Sequence, residues 1–252
     1  MVYDMCVFQN STPSVGGYAL RVPRYYPPIP EWTVRVKMAT ANGPVPTKTG
    51  ATVTRLYADE EIYDVTYADA NWNGLLHRGP SSHPIAEVLG SNTAGVTNMG
   101  SLFAGQEALS SVTGMTTGNV TDMSFMFASC YGLTTVDLFD TSKVTTVSNM
   151  FNACTSLTTS PLFVTNNVTN MFRFFCNCTA LTRVPLFSTE KVTNMKDAFN
   201  GCRQVTGGAY ALYSQAANQT TPPRSHSLAF NKCGADTTSG AAELALIPSG
   251  WK

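Results

Sequence analysis

The sequence predicts an α/β solenoid, and three observations carry that reading. A block of 24 residues recurs five times without insertion, beginning at Val96, Val120, Val144, Val168 and Val192. Each block opens with apolar residues at near-helical spacing, and continues into a short stretch rich in Val and Thr that reads as a strand. A strict period of this length marks coils stacked on one another, because a single coil cannot bury its apolar face alone.

The repeat positions give each element its role. Position 4 is Met99, Met123, Val147, Met171 and Met195; position 8 is Phe103, Phe127, Phe151, Phe175 and Phe199. Position 11 is Gln106, Cys130, Cys154, Cys178 and Cys202. Apolar spacing of 1, 4, 8 and 11 predicts one or two helical turns with an inward Met-Phe-Cys face. The stretches LTTVDL at 133–138 and LTRVPL at 181–186 predict short parallel strands, with Leu133, Val136 and Leu138 pointing inward. Pro161 and Pro185 each remove one ladder donor. The five phenylalanines of position 8 are expected to form the central column of the core.

The flanks divide the rest of the chain. Residues 1–32 read as an extended attachment or connector segment, with a turn at Gly16-Gly17 and a polyproline-like run at Tyr25-Tyr26-Pro27-Pro28-Ile29-Pro30. That segment docks onto another protein or lies against its own domain. Residues 33–92 read as a small β-rich N-terminal cap. There Trp32, Val34, Val36 and Met38 alternate with Thr33, Arg35 and Lys37, as in a half-buried strand; 51–57 and 62–67 read as two more strands. Asn42-Gly43-Pro44 marks a loop, and Asp59-Glu60-Glu61 a solvated turn. Trp72, Leu75 and Leu76 anchor the connection to the repeats, and Ile85, Val88 and Leu89 start the stack. Residues 93–207 are the repeats, and 208–252 read as a helical C-terminal cap. Its helices are expected over 208–217 and 241–246, the second ended before Pro248, with Trp251 packing on the core.

Composition bounds the function. Lys plus Arg and Asp plus Glu are 16 each, so the net charge is zero, whereas nucleic-acid binders carry a basic excess. Charged residues are only 13%, and Thr, Ser and Asn fill the surface instead, as in many extracellular adhesins. No apolar run reaches the length of a membrane span, and MVYDMCVFQN has neither the basic n-region nor the apolar stretch of a secretory signal. The seven cysteines are read as small buried side chains in a column, with disulfides between neighbouring rungs as the alternative; their spacing does not fit CxxC zinc knuckles. His77 and His83 read as loop histidines. No catalytic motif, metal site or cofactor is expected.

The pattern VTNMxxxFxxCxxLTxVPLFDTSx resembles the BspA-type leucine-rich repeat of bacterial surface proteins and of phages infecting gut Bacteroidetes. The resemblance covers 93–207 strongly and extends more weakly to IAEVLGSNTAGVTNM before the repeats and to the CGADTTSGAAELALIPSGW tail. Copy one departs from it, with Gln106 for Cys and GMTTGN for the LFDTSK ending. It implies a non-enzymatic virion protein, a tail- or head-fibre subunit or decoration protein on the virion surface, made in the host cytoplasm. The N-terminal segment would hold other virion proteins, and the repeats a host-surface glycan or protein. A homo-oligomer, trimeric by analogy, belongs to the same expectation. The alternatives are a bacterial cell-surface adhesin and, from another class, a polysaccharide-degrading enzyme. The binding residues are expected at repeat positions 16 and 18, facing outward: Ser111, Thr113, Thr135, Asp137, Thr159 and Arg183.

Overall fold

The computed structural model describes residues 26–39, 45, 47–57, 60–76 and 84–252. Most of the expected attachment segment, together with Cys6, Asn42-Gly43-Pro44, Asp59, His77 and His83, therefore lies outside the described residues.

The strands are β1 (Thr33–Met38), β2 (Thr52–Tyr57), β3 (Ile62–Thr66), β4 (Ile85–Asn92), β5 (Ser111–Val112) and β6 (Thr135–Val136). They form one open sheet in the order β2-β3-β1-β4-β5-β6, antiparallel from β2 to β4 and parallel from β4 to β6. Two helices of nine residues each follow, α1 (Ala209–Ala217) and α2 (Thr238–Leu246). This corrects the expected five-coil α/β solenoid with a β-rich cap and a helical cap. The fold is a mixed six-stranded sheet with two short helices, and β1–β3 share one sheet with the first repeats.

The repeats contain no helical segment, and the reason is in the backbone. Position 6 is left-handed at Ser101, Phe125, Asn149, Arg173 and Asp197, and position 10 at Gly105, Ser129, Ala153, Asn177 and Gly201. Two left-handed residues within five positions exclude an α-helix. The N–H groups alternate between two kinds of partner instead. Those of Met126, Ala128 and Cys130 close turns on Met123, Phe125 and Phe127 of the same copy. Those of Met123, Phe125, Phe127 and Ser129 reach Thr146, Ser148, Met150 and Asn152 of the next copy, at 2.8–3.2 Å.

Strand formation also stops early. After β6, residues 158–164 and 182–188 have no strand, and Pro161 and Pro185 supply no N–H there. Leu138 consequently points outward, 66% exposed, contrary to the expected alternation, and Phe139 is buried in its place.

The core is organised in aromatic files. Phe103, Phe127, Phe151, Phe175 and Phe199 stack with centroid separations of 5.6, 5.4, 5.1 and 5.5 Å, as the period predicts. A second file, Phe139, Phe163 and Phe187, packs beside the first at 6.0–6.1 Å. The first file extends to Phe230, 5.8 Å from Phe199. The chain thus leaves the row after Val205, forms α1, and returns, so α1 is not a terminal cover. Trp72 is fully buried at the opposite end, its indole N–H donating to Tyr67 O at 3.0 Å.

The β1 strand is buried on both faces, not half-buried. Arg35 lies inside and makes a two-pronged ion pair with Asp64 at 2.7 and 2.8 Å, and its remaining nitrogen donates to Pro27 O at 2.8 Å. That bond, with Asn92 Nδ2 to Ile29 O at 3.1 Å, holds residues 26–30 against the chain's own sheet. Gly90, at φ 145°, leaves the space that Ile29 occupies, since an added Cβ would sit 2.8 Å from Ile29 Cδ1.

Candidate functional site

The six residues expected to bind lie at repeat positions 16 and 18. Ser111 in β5 is half-buried and pairs in register with Thr135 in β6, which is exposed. Thr113, Asp137, Thr159 and Arg183 are exposed. Two of them are already engaged in holding copies together. Thr113 Oγ1 donates to Val88 O at 3.1 Å, and Asp137 Oδ2 accepts from Gly114 N at 3.1 Å. Arg183 makes no ion pair with a described residue.

Sequence reasoning missed the exposed residues that follow these positions. Position 19 carries Leu138, Leu162 and Leu186, exposed at 66%, 62% and 56%, and Val164 stands beside them at 48%. Soluble surfaces scatter such residues singly, whereas these three leucines recur at a constant spacing of 24 residues. The signal was present as three leucines 24 apart, but alternation assigned the first of them, Leu138, to the core. One step earlier in the same position stands Gly114, whose backbone packs on Gly90.

Other surfaces are committed to internal bonds. Thr121, Thr145, Thr169 and Thr193 form an exposed row, but each hydroxyl donates to the threonine carbonyl one copy back at 3.1–3.2 Å. A notch of about 250 Å³ is lined by Ser188, Thr189, Glu190, Gln215 and Gln219. It is smaller than usual ligand pockets. Three of its side chains are engaged: Gln215 Nε2 donates to Phe187 O at 2.6 Å and to Thr189 Oγ1 at 3.2 Å, and Thr189 Oγ1 donates to Gln219 Oε1 at 3.0 Å.

The described cysteines are free and buried, with no disulfide between them. Cys130, Cys154, Cys178 and Cys202 each donate Sγ–H to the carbonyl of the phenylalanine one copy back, at 3.0–3.2 Å. Burial pushes the Cys130 thiol up to about 12, and those of Cys154, Cys178 and Cys202 well above their usual value. Thiols held neutral are poor nucleophiles and poor metal ligands. Among the described residues, no group of three or more His, Cys, Asp or Glu is placed to hold a metal ion.

The acidic turn before β3 is engaged as well. Glu61 pairs with Arg55 and accepts the Tyr63 hydroxyl at 2.8 Å; burial first, then that carboxylate, raises the Tyr63 phenol. Glu60 accepts from Tyr26 at 2.8 Å. His226 stacks on Trp251 at 4.1 Å, next to Phe230. No helix among the described residues is long and apolar enough to cross a membrane.

Comparison with known proteins reaches only the repeat region. No curated protein matches the chain, and no solved structure matches it. Residues 83–183, about two fifths of the 252, match the family model described as "Mycoplasma protein of unknown function, DUF285", and this stretch contains β4–β6 and most of the leucine row.

Proposed function

We propose that this chain is a non-enzymatic adhesion or structural protein displayed on a surface, and that the leucine row with its flanking Thr135, Asp137, Thr159 and Arg183 is its contact face. The observation that carries this reading is the regular exposure of Leu138, Leu162 and Leu186, with Val164 beside them. Single contacts of this kind contribute about 0.5–1.5 kcal/mol per hydrogen bond, and repetition on a multivalent particle multiplies their effect.

The setting we propose is a phage virion, which the likeness of the repeats to BspA-type sequences suggests. A bacterial cell surface is the second setting, favoured by the word Mycoplasma in the description of the matched family. Stoichiometric presence in purified particles is the expected result for the first, and absence from them rejects it.

The face itself is tested by binding of the full chain to intact host cells and to isolated particle proteins. Thr159→Arg is expected to abolish binding with an unchanged circular dichroism spectrum, and Thr145→Arg, on the internally bonded threonine row, to leave it intact. Equal binding by both variants removes this face from the proposal. Release of reducing ends from host capsular polysaccharide by the purified chain would replace the reading with an enzymatic one.

A further inference from the structure

We propose that the strap formed by residues 26–30 is exchanged between two copies of this chain, each strap lying in the other copy's groove. The exchange is independent of the leucine row, to which no residue of the strap or its groove belongs.

The groove is a built site, and the structure shows what it holds. Pro27 and Ile29 are half-buried, while Tyr26, Pro28 and Pro30 are exposed. Arg35, 3% exposed and fixed by Asp64, donates to Pro27 O at 2.8 Å. Asn92 Nδ2 donates to Ile29 O at 3.1 Å, and the Ile29 side chain fills the space over Gly90. Tyr26 packs edge-on against Tyr57 at 5.6 Å, and its hydroxyl donates to Glu60 at 2.8 Å.

Prolines at 27, 28 and 30 lack an N–H, so the strap cannot join the sheet as a further strand. It is held through its carbonyls and side chains instead. A polyproline-like segment keeps its shape when released, so little order has to be created when it binds again. None of these contacts requires that strap and groove belong to the same copy.

The connection between them is the strained part. Only Glu31 and Trp32 join Pro30 to β1, and Trp32 holds φ 58°, a region disfavoured for every residue but glycine. Its indole is wedged over Gly95, where an added Cβ would sit 2.3 Å from the ring, and Thr33 Oγ1 donates back to Glu31 O at 3.1 Å. This reversal is needed only while the strap folds back on its own sheet. When residues 31–32 run straight, Trp32 returns to negative φ and the strap points away from its own groove. A second copy offers it the same partners, and short strained hinges favour such exchange. The strap reaches about 15 Å, so the two copies meet at the starts of their β1 strands, across a two-fold axis.

Isotope-coded photo-cross-linking of the full chain tests this. Chains carrying Tyr26→p-benzoylphenylalanine are mixed at high concentration with heavy-isotope chains under reducing conditions. They are held until the dimer fraction is constant, separated by size and irradiated. In the dimer, light residue 26 is expected to be joined to the heavy 52–61 stretch; in the monomer the link stays within one copy. Inserting two glycines between Glu31 and Trp32 removes the need for the reversal. It should weaken the dimer about tenfold per hinge, with an unchanged circular dichroism spectrum. A monomer at every concentration, a dimer whose links all join light to light, or an inserted variant that dimerises as well as the parent overturns the proposal. Each of these leaves the contact-face reading standing, which the binding of Thr159→Arg decides separately.

Discussion

Phe151 shows what one side chain contributes. It stacks between Phe127 at 5.4 Å and Phe175 at 5.1 Å, with Phe163 and Phe174 each at 6.0 Å, and is fully buried. Phe151→Ala removes transfer energy and leaves a cavity between rigid neighbours, so a loss of about 3–5 kcal/mol is expected by urea denaturation. The thiols beside this file carry a pH signature. Cys130 is raised from 9.0 to about 12, so between those values the unfolded chain gives up a proton that the folded chain keeps. Stability is thus intact below about pH 9 and falls as pH rises toward 12. Urea midpoints at about pH 8 and pH 10.5 should differ, with the lower value at the higher pH, and Cys130→Ala should reduce that difference. The file at position 8 was legible because five identical residues share one period. Phe139, Phe163 and Phe187 obey the same period, yet the strand expected before them had already assigned the inward direction to their leucine neighbours.

Among the elements, the repeat turn differs most from its reading in the sequence. Apolar residues at 1, 4, 8 and 11 serve a helix and a chain of short turns equally well, because both return the chain to one face every three or four residues. The distinguishing signal lay in the intervening positions. Position 10 holds Gly105, Asn177 and Gly201, and position 6 holds Asn149 and Asp197, residue types that tolerate the left-handed region. Phe125, Ala153 and Arg173 in the same conformation obscure it. Ala153→Gly, at φ 63°, is therefore expected to stabilise the chain by up to about 1 kcal/mol, strain relief outweighing the added freedom of the unfolded state. Gly201→Ala, at φ 79° with its Cβ 2.5 Å from Asn177 Oδ1, should destabilise it by about 1–2 kcal/mol. Thermal unfolding of the pair should move in opposite directions. The helices were more legible. The α1 helix matches its apolar spacing within a residue. The α2 helix begins three residues earlier than expected because Thr237 accepts the Gly240 N–H at 3.1 Å.

On the scale of the whole molecule, the bridges run beyond the five evident copies. Single parallel bridges join Asn71, Asn98, Asp122, Thr146, Asn170, Asn194 and Ser225 in one line. The outer two members were hidden from a search by period, since Asn71 precedes Asn98 by 27 residues and Ser225 follows Asn194 by 31. Their sequences do carry the signature: NWNGLL at 71–76 and LAFNKC at 228–233 place an apolar residue or Phe–Cys pair where the full copies do. The merger of β1–β3 with β4–β6 in one sheet was not legible, because strand pairing between distant segments leaves no local trace. Equivalent bonds on both sides of one copy make it removable. Deletion of 144–167 joins Lys143 to Val168 in unchanged register and is expected to give a cooperatively folding chain with a lower melting temperature. Deletion of 144–155, half a copy, should not fold.

The alternation of N–H partners has a kinetic consequence. The amides of Phe103, Phe127, Phe151, Phe175 and Phe199 bond to Met126, Met150, Phe174, Ala198 and Ala229, so each is closed by the following segment and not by its own turn. Deuterium can reach such an amide only when two adjacent segments part, and each parting exposes stacked rings to water. These five sites should therefore exchange slowly and at nearly one common rate, while Met126 and Cys130, closed within their own turns, open sooner.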